Sequence, residues 1–229
     1  MLIRFFFFQL GLFQYKNKQE FLTDCFIIRQ GVAMPERNQN QERQSNVSRE
    51  GAKFELYVKK TLNDEFTAQN QNISVLNGNE VFKDPHLKDH FTIPVRGFNK
   101  NWGDVDLVAK DLDTNHPIAL ISCKLSLHGR FSETLFYSKI YRERIPDLKV
   151  VFATPDKGRQ SKPGIWQTEW GTTEKPTKDR AFAETFLDGV YIDNEYLRRE
   201  WGFNGTTVLG GKIKPFNLLS SDIVSWKIM

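Results

Sequence analysis

Two acids and a serine–lysine pair stand on either side of a short polar turn. Asp104 and Asp106 lie in Gly103-Asp104-Val105-Asp106-Leu107-Val108, and Ser122 and Lys124 close the run Ala119-Leu120-Ile121-Ser122-Cys123-Lys124. Side chains alternate along an extended strand, so each pair shares one face, and Ile121 and Cys123 take the other. A lysine that ends an almost wholly apolar strand is costly to bury unless a neighbouring charge compensates it. The acid that a hairpin brings nearest is Asp106. An acid oxygen suits a hard cation, and an ammonium group suits the negative charge that grows during hydrolysis. The plainer alternative is an ion pair that closes a hairpin. A serine nucleophile built on Ser122 would need a base, and His86, His90, His116 and His128 stand in no triad context. With only Cys25 and Cys123 they form no zinc pattern either.

These residues need elements to hold them. Ser48 is placed to cap a helix in which Phe54, Val58 and Leu62 recur every fourth residue up to Asn63. Glu55 then lies about 20° from Leu62 on the helical wheel, at the rim of the apolar stripe, where it can look into a cleft. Short β-type segments are predicted at 72–76, 80–83 and 91–95. A hairpin follows, Asp104 to Ala109 and Ile118 to Lys124, joined by KDLDTNHP. A helix from Phe131 to Ile145, a strand at 148–155, a helix at 178–187 and a strand at 189–192 complete the pattern. Residues 156–178, rich in Gly and Pro and carrying Trp166 and Trp170, read as a long loop. Loop tryptophans more often cover core edges than stack on a ligand, and Asp156 and Lys157 form a PDxK string with no paired second strand. The expected class is α/β (α+β), a mixed central sheet flanked by helices. The portion from Glu195 onward is the least informative.

The chain has 229 residues, 39% hydrophobic and 26% charged, which suits one domain with an appendage. The first thirty-three residues differ from the rest, with four consecutive phenylalanines at Phe5 to Phe8. Gln9, Gln14, Tyr15, Lys16 and Asn17 interrupt that run, so it falls short of the ~20 apolar residues of a membrane span. Neither a span nor an export signal is expected. Residues 1–47 read as an N-terminal extension, with Met34 as the natural start and 35–47 a flexible polar lead-in; 48–229 read as a single domain. Two cysteines are too few for a disulfide framework, so the expected setting is a reducing cytoplasm. The net charge is +4, and the basic excess gathers between Lys124 and Arg180. Such a segment suits phosphate contacts with a polyanion.

Three motifs in this order resemble the PD-(D/E)XK nuclease superfamily, and within it the type II restriction endonucleases. They are GxxFExxV (Gly51, Phe54, Glu55, Val58), GDVDLV (Gly103 to Val108) and SCKLSLHGRF (Ser122 to Phe131). Val105 stands where the name-giving proline would be, and Ser122 where an acid is usual. Some restriction enzymes are similar in having SxK and borrowing a carboxylate from a helix. The resemblance implies a restriction-endonuclease-like fold and hydrolysis of a DNA phosphodiester with Mg2+. Asp106, Ser122, Lys124 and Glu55 would be catalytic. Asp106 supplies one metal ligand, and the carbonyl of Cys123 would touch the metal. The charge missing at Ser122 must come from elsewhere, because a unit charge 4 Å from another is worth about 4 kcal/mol at an effective dielectric of 20, doubled for a divalent ion. Glu55, Glu133 and Asp104 are the candidates, Glu55 foremost.

Arg130 and His128, at the start of the next helix, would lie near the scissile phosphate or the major groove. Arg142 and Arg144 are further DNA-binding candidates, although a solvated helix face explains them as well. Cutting both strands implies a homodimer whose two-fold axis mirrors a palindromic duplex site. A DNA methyltransferase is the expected genetic partner. Two other readings compete. One is a repair or recombination nuclease of the same superfamily, like a junction resolvase; the other is a DNA-binding module that has lost its catalytic site.

Overall fold

The structure, a computed structural model, describes residues 39–94, 104–127, 130–156, 158–162, 165–193 and 208–227. The expectations for residues 1–38, Lys157 and His128 lie outside these. The chain divides into two units, Met1–Asn46 and Val47–Met229. The described residues of the first, 39–46, are helical. The second holds every strand described and the residues of the candidate site.

Helix α1 (Gln39–Ala68) buries Phe54, Val58, Leu62 and Phe66, one residue per turn. It begins well before Ser48, which therefore caps nothing. The polar stretch read as a flexible lead-in is helical from Gln39, because Gln, Glu and Arg lose little rotamer freedom in a helix even without an apolar stripe. Strand β1 (Ile73–Asn77) follows. Residues 80–83 and 91–94 are not strands, and residue 95 lies outside the described residues. The chain instead forms two short helices, α2 (Gly78–Val81) and α3 (Lys88–Phe91). At α2 the reason is a capping box. The Asn77 side chain accepts from the Glu80 N–H at 3.0 Å, and the Glu80 carboxylate accepts from the Asn77 N–H at 2.7 Å.

Strands β2 (Leu107–Asp111) and β3 (Pro117–Cys123) form the expected hairpin, with Leu107 opposite Ile121 and Val108 opposite Leu120. Asp104 to Asp106 lead into β2 rather than belonging to it. Helix α4 (Phe131–Arg144) returns the chain to β4 (Lys149–Thr154), which pairs parallel with β3. The expected loop at 156–178 contains an antiparallel ribbon, β5 (Arg159–Lys162) and β6 (Ile165–Gln167). Helix α5 (Lys178–Phe186) and strand β7 (Gly189–Ile192) come next. The uninformative C-terminal portion supplies strand β8 (Ile213–Pro215) and helix α6 (Leu219–Trp226). The main sheet is mixed and six-stranded, in the order β1-β2-β3-β4-β7-β8, antiparallel through β3 and parallel beyond it.

Alternation along the strands divides the core. Val108, Leu120, Val150, Phe152 and Val190 face α4 and α5, packing with Phe131, Tyr141 and Trp170. Leu107, Ile121, Cys123, Val151 and Ala153 face α1 and α6, under Phe54, Val58, Leu219 and Ile223. Trp170 is wholly buried, with its ring centroid 5.6 Å from Phe131 and 5.8 Å from Phe152. It is a core residue, and its size makes it a large share of the apolar area on that face. Among the described residues no helix is long and apolar enough to cross a membrane.

Candidate active site

The site is assembled where three backbone segments converge. From β1 the chain turns into α2 so close to the segment before β2 that a Cβ on Gly78 would sit 2.3 Å from the Val105 carbonyl oxygen. That approach lets the Gly78 N–H donate to the Asp106 carbonyl at 3.1 Å. Lys124, just past the end of β3, is held by its own N–H donating to the Ala153 carbonyl at 3.1 Å. Beyond it, the Leu127 N–H donates to the buried Glu169 carboxylate at 2.9 Å, which fixes the path toward α4.

The Asp106 carboxylate gathers donors from the end of β3. Its Oδ2 accepts from the Cys123 N–H at 2.7 Å, from Lys124 Nζ at 2.8 Å and from Ser122 Oγ at 3.3 Å. Oδ1 meets Lys124 Nζ at 3.0 Å. The same ammonium reaches Asp104 Oδ2 at 3.0 Å. Asp106, Ser122 and Lys124 are each 8% exposed, whereas the Asp104 side chain is 36% exposed. Burial pushes the Asp106 carboxyl above its ordinary range, against the pull of Lys124. Burial opposes the charge of Lys124 too, but the two aspartates outweigh it and hold the ammonium protonated.

Glu55, half-buried on α1, shares a cleft of about 400 Å³ with Asp106, Asn77, Gly78 and Lys59. Its pKa is raised to about 7, chiefly by burial and then by the charge of Asp106, with Lys124 opposing and Asp104 adding. Glu133 is exposed and lines an open groove with Asp104, Arg130, Phe136 and Tyr137. It is Thr134, the next residue, that turns inward, with its Oγ1 2.9 Å from Ser122 Oγ. The thiol of Cys123 lies on the opposite face, in the core, where burial pushes its pKa up. Only the backbone of Cys123 faces the aspartate.

Arg130 is exposed at the groove. Arg142 and Arg144 both bond distant segments, and Arg144 is exposed. Arg142 pairs with Asp188 and donates to the Phe186 carbonyl. Arg144 donates to the carbonyls of His90 at 3.1 Å and Asp89 at 2.7 Å. Asp156 closes a loop, accepting from the Thr168 hydroxyl and, at 3.1 Å, from the Glu169 N–H. Thr134, Gly78 and Glu169 escaped the sequence reading. The Asn-Gly-Asn-Glu string at 77–80 carries the signal for the α2 cap, whereas nothing local marks Thr134 or Glu169.

Among the described residues no three His, Cys, Asp or Glu side chains form a cage for a metal ion. Mg2+ does not require one, because it is commonly bound through one or two carboxylates, waters and substrate phosphate. The donors fit that ion. Asp106 and Glu55 are hard oxygen acids lining one cleft, and burial is the main cause that raises the pKa of each.

Comparison with known proteins gives the family and the fold. The family model of BsaWI restriction endonuclease type 2 matches residues 79–222, from α2 into α6. The crystal structure of a specific restriction endonuclease AgeI–DNA complex has a similar fold, with a TM-score of 0.56 and 19% identity, over 80% of this chain and 69% of that one. None of the curated proteins compared matches the chain. The match to the family model spans well over half of the chain and takes in the hairpin, Lys124 and the helix after it. The chain therefore belongs to the BsaWI family of type 2 restriction endonucleases, of the PD-(D/E)XK kind.

Proposed function

We propose that this restriction endonuclease hydrolyses phosphodiester bonds in double-stranded DNA at a short specific site, with Mg2+, as a cytoplasmic homodimer. The observation that carries the proposal is one buried ammonium, Lys124, shared between Asp106 and Asp104 beside the half-buried acid Glu55. Few structural roles call for a lysine and an aspartate at 8% exposure next to an open cleft.

Asp106 and Glu55 would hold the cation together with the Cys123 carbonyl, and Asp104 and Glu133 are the other acids within the neighbourhood. When bound, Mg2+ polarises the phosphoryl oxygen and lowers the pKa of water. Lys124 orients the attacking water and stabilises charge that grows on the phosphorane oxygens. Ser122 and the Cys123 N–H hold Asp106 in place. Arg130 contacts the DNA from the start of α4, and His128, two residues earlier in the sequence, is the other candidate contact. The domain that does this is 48–229, and a methyltransferase would protect the host site.

Incubating the purified protein with plasmid and Mg2+, with an EDTA control, tests the proposal. Discrete fragments with a common end sequence are expected. Nicking that follows DNA structure instead of sequence points to a repair or recombination nuclease. Binding without cutting, alike for wild type and Lys124→Ala, leaves only a DNA-binding module.

A further inference from the structure

We infer that Thr134 is a positioning residue for the cleavage reaction, acting on Asp106 through Ser122. The inference rests on the reading of Asp106 as the acid of the active site. Three buried polar side chains form one file: Thr134 Oγ1 lies 2.9 Å from Ser122 Oγ, which lies 3.3 Å from Asp106 Oδ2. Thr134 and Ser122 are 5% and 8% exposed, so water competes little for either hydroxyl.

A hydroxyl carries one proton, and its direction decides what the file does. If Ser122 gives its proton to Thr134, Asp106 Oδ2 faces a lone pair. A carboxylate is the stronger acceptor, so the favoured order runs Thr134 to Ser122 to Asp106. Thr134 has another acceptor, the Arg130 carbonyl, but at 3.4 Å that bond is the poorer one. With the Cys123 N–H and Lys124 Nζ also on Oδ2, this oxygen is anchored by three donors. The anchoring leaves Asp106 one orientation and sets where Oδ1 points. That weaker acceptor belongs to Arg130, the N-cap of α4, whose side chain lines the open groove. The threonine thus stands between the groove and the acid.

The test compares Thr134→Val, which keeps the shape and loses the hydroxyl, with Thr134→Ser, which keeps the hydroxyl. Single-turnover cleavage should slow about tenfold in the valine variant, the size of one lost buried hydrogen bond, with DNA affinity unchanged. The serine variant should cut within about twofold of wild type. Calorimetric titration with Mn2+ should show affinity about tenfold weaker for Thr134→Val and restored for Thr134→Ser. A third variant, Ser122→Ala, guards against a valine variant that does not fold. Its loss should be at least that of Thr134→Val, and the double variant should be no worse than Ser122→Ala alone. Valine and serine variants that behave alike, or multiplicative losses in the double variant, overturn the inference. A wild-type protein that binds Mn2+ and cuts nothing sinks the nuclease reading alone, and the Mn2+ titrations then decide on Thr134.

Discussion

Lys124 Nζ lies 2.8 Å from Asp106, and each side chain is 8% exposed. At that depth the pair is too dry to be a surface ion pair of negligible worth, yet burying two charges costs enough that apolar residues would stabilise the hairpin as well. The second aspartate on the same ammonium strengthens the point, since a purely structural lysine needs one partner. The arrangement trades stability for a cation and an acid held side by side.

Replacing Lys124 by methionine should slow single-turnover cleavage by about a thousandfold or more, the scale of losing a group that stabilises transition-state charge. DNA affinity should change little. Asp106→Asn should abolish cutting as well. Both variants should unfold more easily, by up to about 3–5 kcal/mol where a buried charge is left unpaired. Quenched-flow cleavage and urea unfolding on the same preparations separate the two effects. A Lys124→Met protein that cuts at the wild-type rate is incompatible with the proposed role.

Glu55 makes the site sensitive to pH. Its folded-state pKa of about 7 lies above the ordinary 4.5, mainly because of burial and then because of Asp106. A raised acid binds its proton more tightly folded than unfolded, so stability falls as pH rises from about 4.5 to about 7. In EDTA, the denaturation midpoint should decline across that window for wild type and decline less for Glu55→Gln. Equal slopes for the two proteins would falsify the assignment of the shift to Glu55.

The hairpin, α4, β4 and β7 were legible because period-2 and period-3.6 apolar patterns survive in them, and Asp106 and Lys124, each one residue beyond its strand, meet as an alternation extended past the strand ends expects. Residues 80–83 misled because Val81 and Phe82 carry β propensity, whereas the Asn77–Glu80 capping box decides the conformation. The short helix α3 and strand β8 carry too few residues for any period to show. Glu133 lines the open groove beside Asp104, while Thr134, 100° further around the helix, points inward to Ser122 with no local signal to mark it. The acceptors of Arg142 and Arg144, at 186–188 and 89–90, were not legible because they are distant in sequence.

Those partners separate the arginines experimentally. Arg130→Ala should weaken DNA binding and reduce the dependence of log affinity on log salt by about one phosphate contact, a slope change of about 0.9. Arg142→Ala should leave that slope unchanged and lower stability by about 1–2 kcal/mol, since it abandons Asp188 and the Phe186 carbonyl. Fluorescence anisotropy over a salt series, alongside thermal melts, reads both. A salt slope reduced by Arg142→Ala and untouched by Arg130→Ala would reverse the assignment.

Gly78 and Gly51 offer a matched pair of glycine-to-alanine changes with opposite expected signs. At Gly78 a methyl group would meet the Val105 carbonyl oxygen at 2.3 Å, a backbone atom that cannot swing aside. Relief requires α2 to move off the segment before β2, which breaks the Gly78 N–H bond to the Asp106 carbonyl and shifts the acid itself. Gly78→Ala should therefore cost about 1–3 kcal/mol and slow cutting beyond what the lower stability explains. At Gly51, inside α1, nothing lies within 4 Å of the added carbon. Alanine there should stabilise the helix by about 0.5–1 kcal/mol and leave cutting intact. Urea titrations with single-turnover rates at a denaturant-free reference decide the matter. If Gly78→Ala is as benign as Gly51→Ala, the close approach of α2 does not hold Asp106.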